Sequence, residues 1–140
     1  MIEVTKTYLP NLDKYNKYIS NCFKTNVVSN GGENVQLLEK RLAEYLNVKN
    51  IVLVANGTLG LLVSYKALDL TKEIITTPFS FNATAGSIFW SGLSPIFADI
   101  EKTTFNISVD EIRKKINKNT SAIVPVHAFG NPCNVEEIEK

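Results

Sequence analysis

Four short stretches of this sequence hold residue types that could do chemistry. Asn56-Gly57-Thr58 stands between an apolar run and a helical pattern. A helix start offers unpaired amides and the positive end of a dipole, which suits a phosphate. Gly57 lets a ligand approach the backbone closely, and Thr58 adds a hydroxyl donor. A tight turn with a Thr cap is the plain alternative. The nucleotide motifs fail here, because Gly57 and Gly60 do not complete G-x-G-x-x-G and no Gly-Lys-Ser/Thr follows. Phe79-Ser80-Phe81-Asn82-Ala83-Thr84 carries two aromatics. Such rings can lie flat against a planar ligand, and at least one of the two is expected to be a core residue. His127, the sole histidine, ends an apolar run at Val126. It reads equally as a site residue or a hydrogen-bonded structural one. It cannot anchor zinc, because Cys133 is its only nearby soft partner and a structural site needs about four ligands. Asp99 is open between turn and site residue. No Ser/His/Asp or Cys/His nucleophile arrangement is present, and no metal site is expected.

These stretches need elements to carry them. Leu12, Tyr15, Ile19, Cys22 and Phe23 recur at helical spacing, with Asn11 as cap. Asn30-Gly31-Gly32 breaks the chain, and Val35, Leu38, Leu42, Tyr45 and Leu46 mark a second amphipathic helix. Short apolar runs then predict four strands: Ile51–Val54, Ile74–Thr76, Pro95–Asp99 and Ala122–Val126. Helical patterns separate them: Thr58–Leu68, Asn82–Trp90, and a helix to about Lys118 opened by the capping box Ser108-Val109-Asp110-Glu111. Asn134, with Glu137 three residues later, caps a last helix. Alternating strands and helices imply an α/β fold with a parallel sheet covered on both faces. Ligands bind beyond the carboxyl ends of such strands, where all four stretches fall.

Composition fits an ordinary globular protein: 140 residues, 44% hydrophobic and 21% charged, with a formal net charge of +1. The basic residues are scattered, and Lys114, Lys115 and Lys118 read as a solvated helix face. A dedicated nucleic-acid binder would carry a stronger positive footprint, so no nucleic-acid partner is expected. Cys22 and Cys133 make no disulfide framework and read as reduced thiols, at least one buried. The charged first twenty residues do not read as a signal peptide, and no apolar run approaches a membrane span. The expected location is the cytoplasm.

The order of the motifs is recognisable. Val54-Ala55-Asn56-Gly57-Thr58, Ile75-Thr76-Thr77-Pro78-Phe79-Ser80-Phe81-Asn82-Ala83-Thr84-Ala85, Gly92 to Ile100, Thr104-Phe105-Asn106-Ile107 and Pro125-Val126-His127-Ala128-Phe129-Gly130 follow in series. From about Ser29 onward the chain resembles the DegT/DnrJ type of pyridoxal-phosphate-dependent sugar-nucleotide aminotransferase. Tyr8-Leu9-Pro10 also looks like the family. It departs at Gly32, where the family often has proline. The resemblance implies fold type I, a three-layer, mainly parallel sheet followed by a small C-terminal domain. Residues 1–140 would be the N-terminal portion of the large domain, incomplete here, in a protein that forms homodimers. It implies that the Gly57 amide and the Thr58 amide and hydroxyl hold the pyridoxal 5'-phosphate, and that Phe81 stacks on its ring. The family's aspartate at the pyridine nitrogen and its cofactor-binding lysine lie beyond Lys140, so no catalytic residue is expected in this segment. The implied reaction transaminates a nucleotide-linked keto sugar in amino-sugar or cell-surface polysaccharide biosynthesis, with glutamate as amino donor. Two rivals remain: a dehydratase of the same family, with histidine in place of that lysine, and a non-catalytic binding module.

Overall fold

The computed structural model describes residues 5–140. It divides into two compact units, Met1–Leu53 and Val54–Lys140. The first unit holds helices α1 (Leu12–Thr25) and α2 (Glu33–Leu46). Asn11 caps α1 by accepting the Lys14 amide at 3.1 Å. The turn between the helices needs Gly31, whose φ of +72° lies in the left-handed region. Gly32 caps α2 at φ −67°. Proline holds that same angle, so the departure from the family pattern leaves this backbone conformation available to either residue.

The second unit positions the site. Its elements are α3 (Gly57–Ala67), β1 (Glu73–Thr76), α4 (Asn82–Trp90), β2 (Ser94–Phe97), α5 (Val109–Lys115), β3 (Thr120–Ile123), a 3-10 turn (Ala128–Gly130) and α6 (Val135–Ile138). The three strands are parallel in the order β2-β1-β3. Ile75 faces Ile96 on one side and Ile123 on the other. Side chains alternate across a strand, so Ile74 and Ile75 enter opposite faces. Ile74 packs with Tyr65, Ile88 and Leu93, from α3 and the α4 end. Ile75 packs with Ala98, Ile107, Ile112 and Cys133, from the α5 side. Both isoleucines are fully buried. The result is the expected three layers, helices on either side of a parallel sheet.

Three expectations need correction. Ile51–Val54 is not a strand. A β-branched run becomes a strand only when a neighbour pairs with it, and here the Leu53 amide donates to the Glu39 carboxylate at 3.0 Å instead. The sheet therefore has three strands rather than four among the described residues. The capping box is half made. Ser108 Oγ accepts the Glu111 amide at 3.4 Å, but the Glu111 side chain turns to Lys114, and the Ser108 amide donates to Asp99 O at 2.9 Å. Helix α5 also stops at Lys115. Beyond it the Asn117 amide donates to Thr120 Oγ1 and the Asn119 amide to Asn117 Oδ1, a polar turn that ends the helix before Lys118.

Candidate functional site

Beyond the carboxyl ends of β1 and β3 lies a cleft of about 370 Å³, lined by Pro78–Phe81 and Val126–Phe129. One part-buried hydrogen bond ties together the chain segments that lead into its two walls, and others shape the first wall. Thr76 Oγ1, at the end of β1, donates to Val124 O at 2.8 Å. The Thr77 hydroxyl accepts the Phe79 amide at 3.1 Å and tightens the turn that follows. The Ser80 and Thr84 hydroxyls meet at 2.6 Å, and the Thr84 amide donates to Phe81 O at 3.0 Å as α4 begins.

The two phenylalanines of this wall part company. Phe79 stacks on Phe105 with ring centroids 5.7 Å apart and meets the edge of Phe129 at 5.9 Å. Phe81 has no aromatic partner among the described residues and is 81% exposed, against 41% for Phe79. The expectation that at least one belongs to the core is therefore corrected. The core positions of this region go to Thr76, Thr77 and Thr84, whose hydroxyls bond back to the chain.

The second wall is the loop from His127 to Cys133. The Cys133 amide donates to His127 Nδ1 at 2.9 Å, and the Cys133 thiol donates to Val126 O at 3.1 Å. Burial pushes that thiol's pKa up, against a smaller opposing pull from backbone hydrogen bonds. Asn106, 5% exposed, holds the middle of the loop. Its Oδ1 accepts the Ala128 amide at 2.9 Å, and its Nδ2 donates to Asn131 O at 3.1 Å and Pro132 O at 3.0 Å. Phe105 and Phe129 both adopt positive φ, 59° and 54°. Bulky residues rarely do so, and each such residue stores about 1–3 kcal/mol. Neither ring was singled out from the sequence, because nothing in residue type or spacing marks a left-handed phenylalanine. Asn106 was quoted only as part of a motif. A lone amide between Phe105 and Ile107 is the signal that could have found it.

The remaining sequence candidates fall elsewhere. Asn56 caps α3 by accepting the Leu59 amide at 2.9 Å. The Gly57 and Thr58 amides and the Thr58 hydroxyl make no hydrogen bond among the described residues. Nothing lies within 4 Å of where a Cβ on Gly57 would stand, so this helix start is open to approach. Gly57 and Thr58 do not line the cleft that contains Phe81. Asp99 is a turn residue: its carboxylate accepts the Ile100 amide at 2.8 Å. Both cysteines are free, Cys133 buried and Cys22 half-buried. Among the described residues no group of three or more His, Cys, Asp or Glu could hold a metal ion. Nor, among the described residues, is any helix long and apolar enough to cross a membrane.

Residues 12–140 match the DegT/DnrJ/EryC1/StrS aminotransferase family. A dTDP-4-amino-4,6-dideoxy-D-glucose transaminase of Escherichia coli is 44% identical over 139 residues, 99% of this chain and 38% of the relative. Among solved structures, DesI in the presence of its TDP-sugar product superimposes with a TM-score of 0.87 at 32% identity, covering 92% of this chain and 33% of that one. NtdA from Bacillus subtilis, with bound cofactor PMP, gives a TM-score of 0.78 at 30% identity, covering 91% and 30%. The chain thus spans less than two-fifths of the length of these relatives. Over that span its fold is theirs.

Proposed function

Because the chain belongs to the DegT/DnrJ/EryC1/StrS aminotransferase family, we propose that it is the N-terminal portion of the large domain of a pyridoxal-phosphate-dependent sugar-nucleotide aminotransferase. The substrate class is a nucleotide-linked keto sugar, in keeping with the dTDP-sugar transaminase and the TDP-sugar complex among its relatives. The reading extends to glutamate as amino donor, a homodimer and a cytoplasmic location, all from the family resemblance.

The residues present fit the cofactor. The observation that carries the reading is the pair of unbonded amides at Gly57 and Thr58, at the start of an eleven-residue helix whose cap side chain is already engaged by Leu59. Two amides, a hydroxyl and the positive end of the helix dipole suit a phosphate dianion. The exposed ring of Phe81 offers an apolar face to a planar ring. When bound, pyridoxal phosphate supplies an electron-accepting ring through which an amino group passes from donor to keto sugar. This chain's part is to bind and orient that group. Gly57 and Thr58 hold its phosphate end, and Phe81 covers one face of the ring against water.

The test uses the chain extended to the length of its relatives. Thr58→Val removes one hydroxyl donor to a charged group, worth about 1.5–3 kcal/mol. Affinity for pyridoxamine 5'-phosphate, measured by calorimetry, should fall by about one to two orders of magnitude. Unchanged affinity would overturn the phosphate assignment.

A further inference from the structure

His127 is held from one side only. The Cys133 amide donates to Nδ1 at 2.9 Å. A ring nitrogen that accepts an N–H bond presents its lone pair there, so in the neutral ring the proton sits on Nε2. The same bond fixes the ring plane, because Cys133 is buried and its thiol is tied to Val126 O. Nε2 itself has no partner among the described residues.

His127 lines the cleft, and its neighbours there are almost wholly apolar. The only other polar side chain is Ser80, whose hydroxyl is engaged by Thr84 and Phe81 O. Among the described residues, Nε2–H is therefore the one uncommitted side-chain donor in a cleft walled by Phe79, Phe81 and Phe129. Stacking fixes the plane of a ligand ring, and a phosphate held at Gly57 and Thr58 anchors it only through a flexible linker, which leaves some rotation within that plane. A donor at the ring's edge would remove that freedom.

We propose that His127 is a ligand-contacting residue: its Nε2–H donates to an oxygen on the edge of the planar ring that lies on Phe81, and so sets the ring's rotation. The assignment rests on the cofactor reading above, and it gives the ring hydroxyl of a pyridoxal-type group as the acceptor. The Cys133 amide, by locking the tautomer, acts through His127 and not on the ligand.

The experiment is a double-mutant cycle in the protein extended to its relatives' length. Its two probes are pyridoxamine 5'-phosphate and the analogue lacking the ring hydroxyl, 3-deoxypyridoxamine 5'-phosphate. The unaltered protein should bind the deoxy probe about tenfold more weakly. His127→Phe keeps a flat ring and loses the donor, so it should bind the natural probe about tenfold more weakly, with little further loss for the deoxy probe. His127→Gln, which restores an N–H donor, should recover most of that loss. Equal binding of the natural probe by all three proteins would overturn the proposal. So would losses that simply add, or a glutamine variant as weak as the phenylalanine one. Failure of the cofactor reading looks different: the unaltered protein then binds neither probe, and the proposal falls with it.

Discussion

Phe79 and Phe81 sit two residues apart in one turn, yet they meet different surroundings. Phe79 is spent on Phe105 and Phe129, while the ring of Phe81 has no aromatic partner among the described residues. That difference yields a prediction at the scale of the single side chain. In the extended protein, Phe81→Ala should weaken pyridoxamine 5'-phosphate binding by about threefold to tenfold, and Phe81→Trp should largely retain it. Phe79→Ala should leave the affinity close to its original value and lower the unfolding midpoint instead, because it opens the aromatic cluster. The reverse pattern, cofactor lost with Phe79 and kept without Phe81, would put the stacking ring two residues earlier. The place of the aromatic pair was legible in the sequence, since any residue just past a strand in a parallel sheet faces the ligand side. Its division of labour was not. That depends on Phe105 and Phe129, which reach Phe79 through left-handed backbone that spacing does not encode.

Among the elements, the loop from His127 to Cys133 depends most on one residue. Asn106 satisfies a buried amide and two carbonyls of that loop from a separate segment of the chain. Asn106→Ala leaves those groups without their partner, and unsatisfied buried groups are costly. Loss of about 3 kcal/mol is expected on that basis, read as a lowered urea midpoint with little change in slope. A variant as stable as the original would show that water replaces the amide. Helix α4 spans Asn82–Trp90, as its pattern suggests, because Pro78 and Gly92 punctuate both ends. The strand limits shift by a few residues, and Ile51–Val54 forms none. Helices carry their hydrogen bonds within themselves, so local spacing reveals them. A strand exists only if a distant segment comes alongside, and a β-branched run cannot report whether it does.

For the whole chain, the sheet and the helix faces both bear on behaviour in solution. Strands β2 and β3 each have one side without a strand partner among the described residues. Helices α1 and α2 contain no buried residue despite their apolar stripes. Large apolar side chains such as Phe23, Tyr45, Phe89 and Trp90 are exposed. Open edges and apolar faces of this kind favour association. No lysine lines the cleft. A purified, homogeneous 140-residue chain is therefore expected to aggregate readily and to show no aminotransferase turnover with a keto-sugar nucleotide and glutamate. Measurable turnover by that preparation would refute the assignment of the catalytic groups outside this segment.

The strand order has a further consequence, for the way the chain is made. The central strand, β1, is the first of the three to leave the ribosome, and β2 and then β3 settle on its two flanks. Among these three, neither later strand has to force its way between two that are already paired. These three strands can assemble outward as synthesis proceeds, each addition pairing another edge of β1, and nothing assembled earlier among them has to come apart.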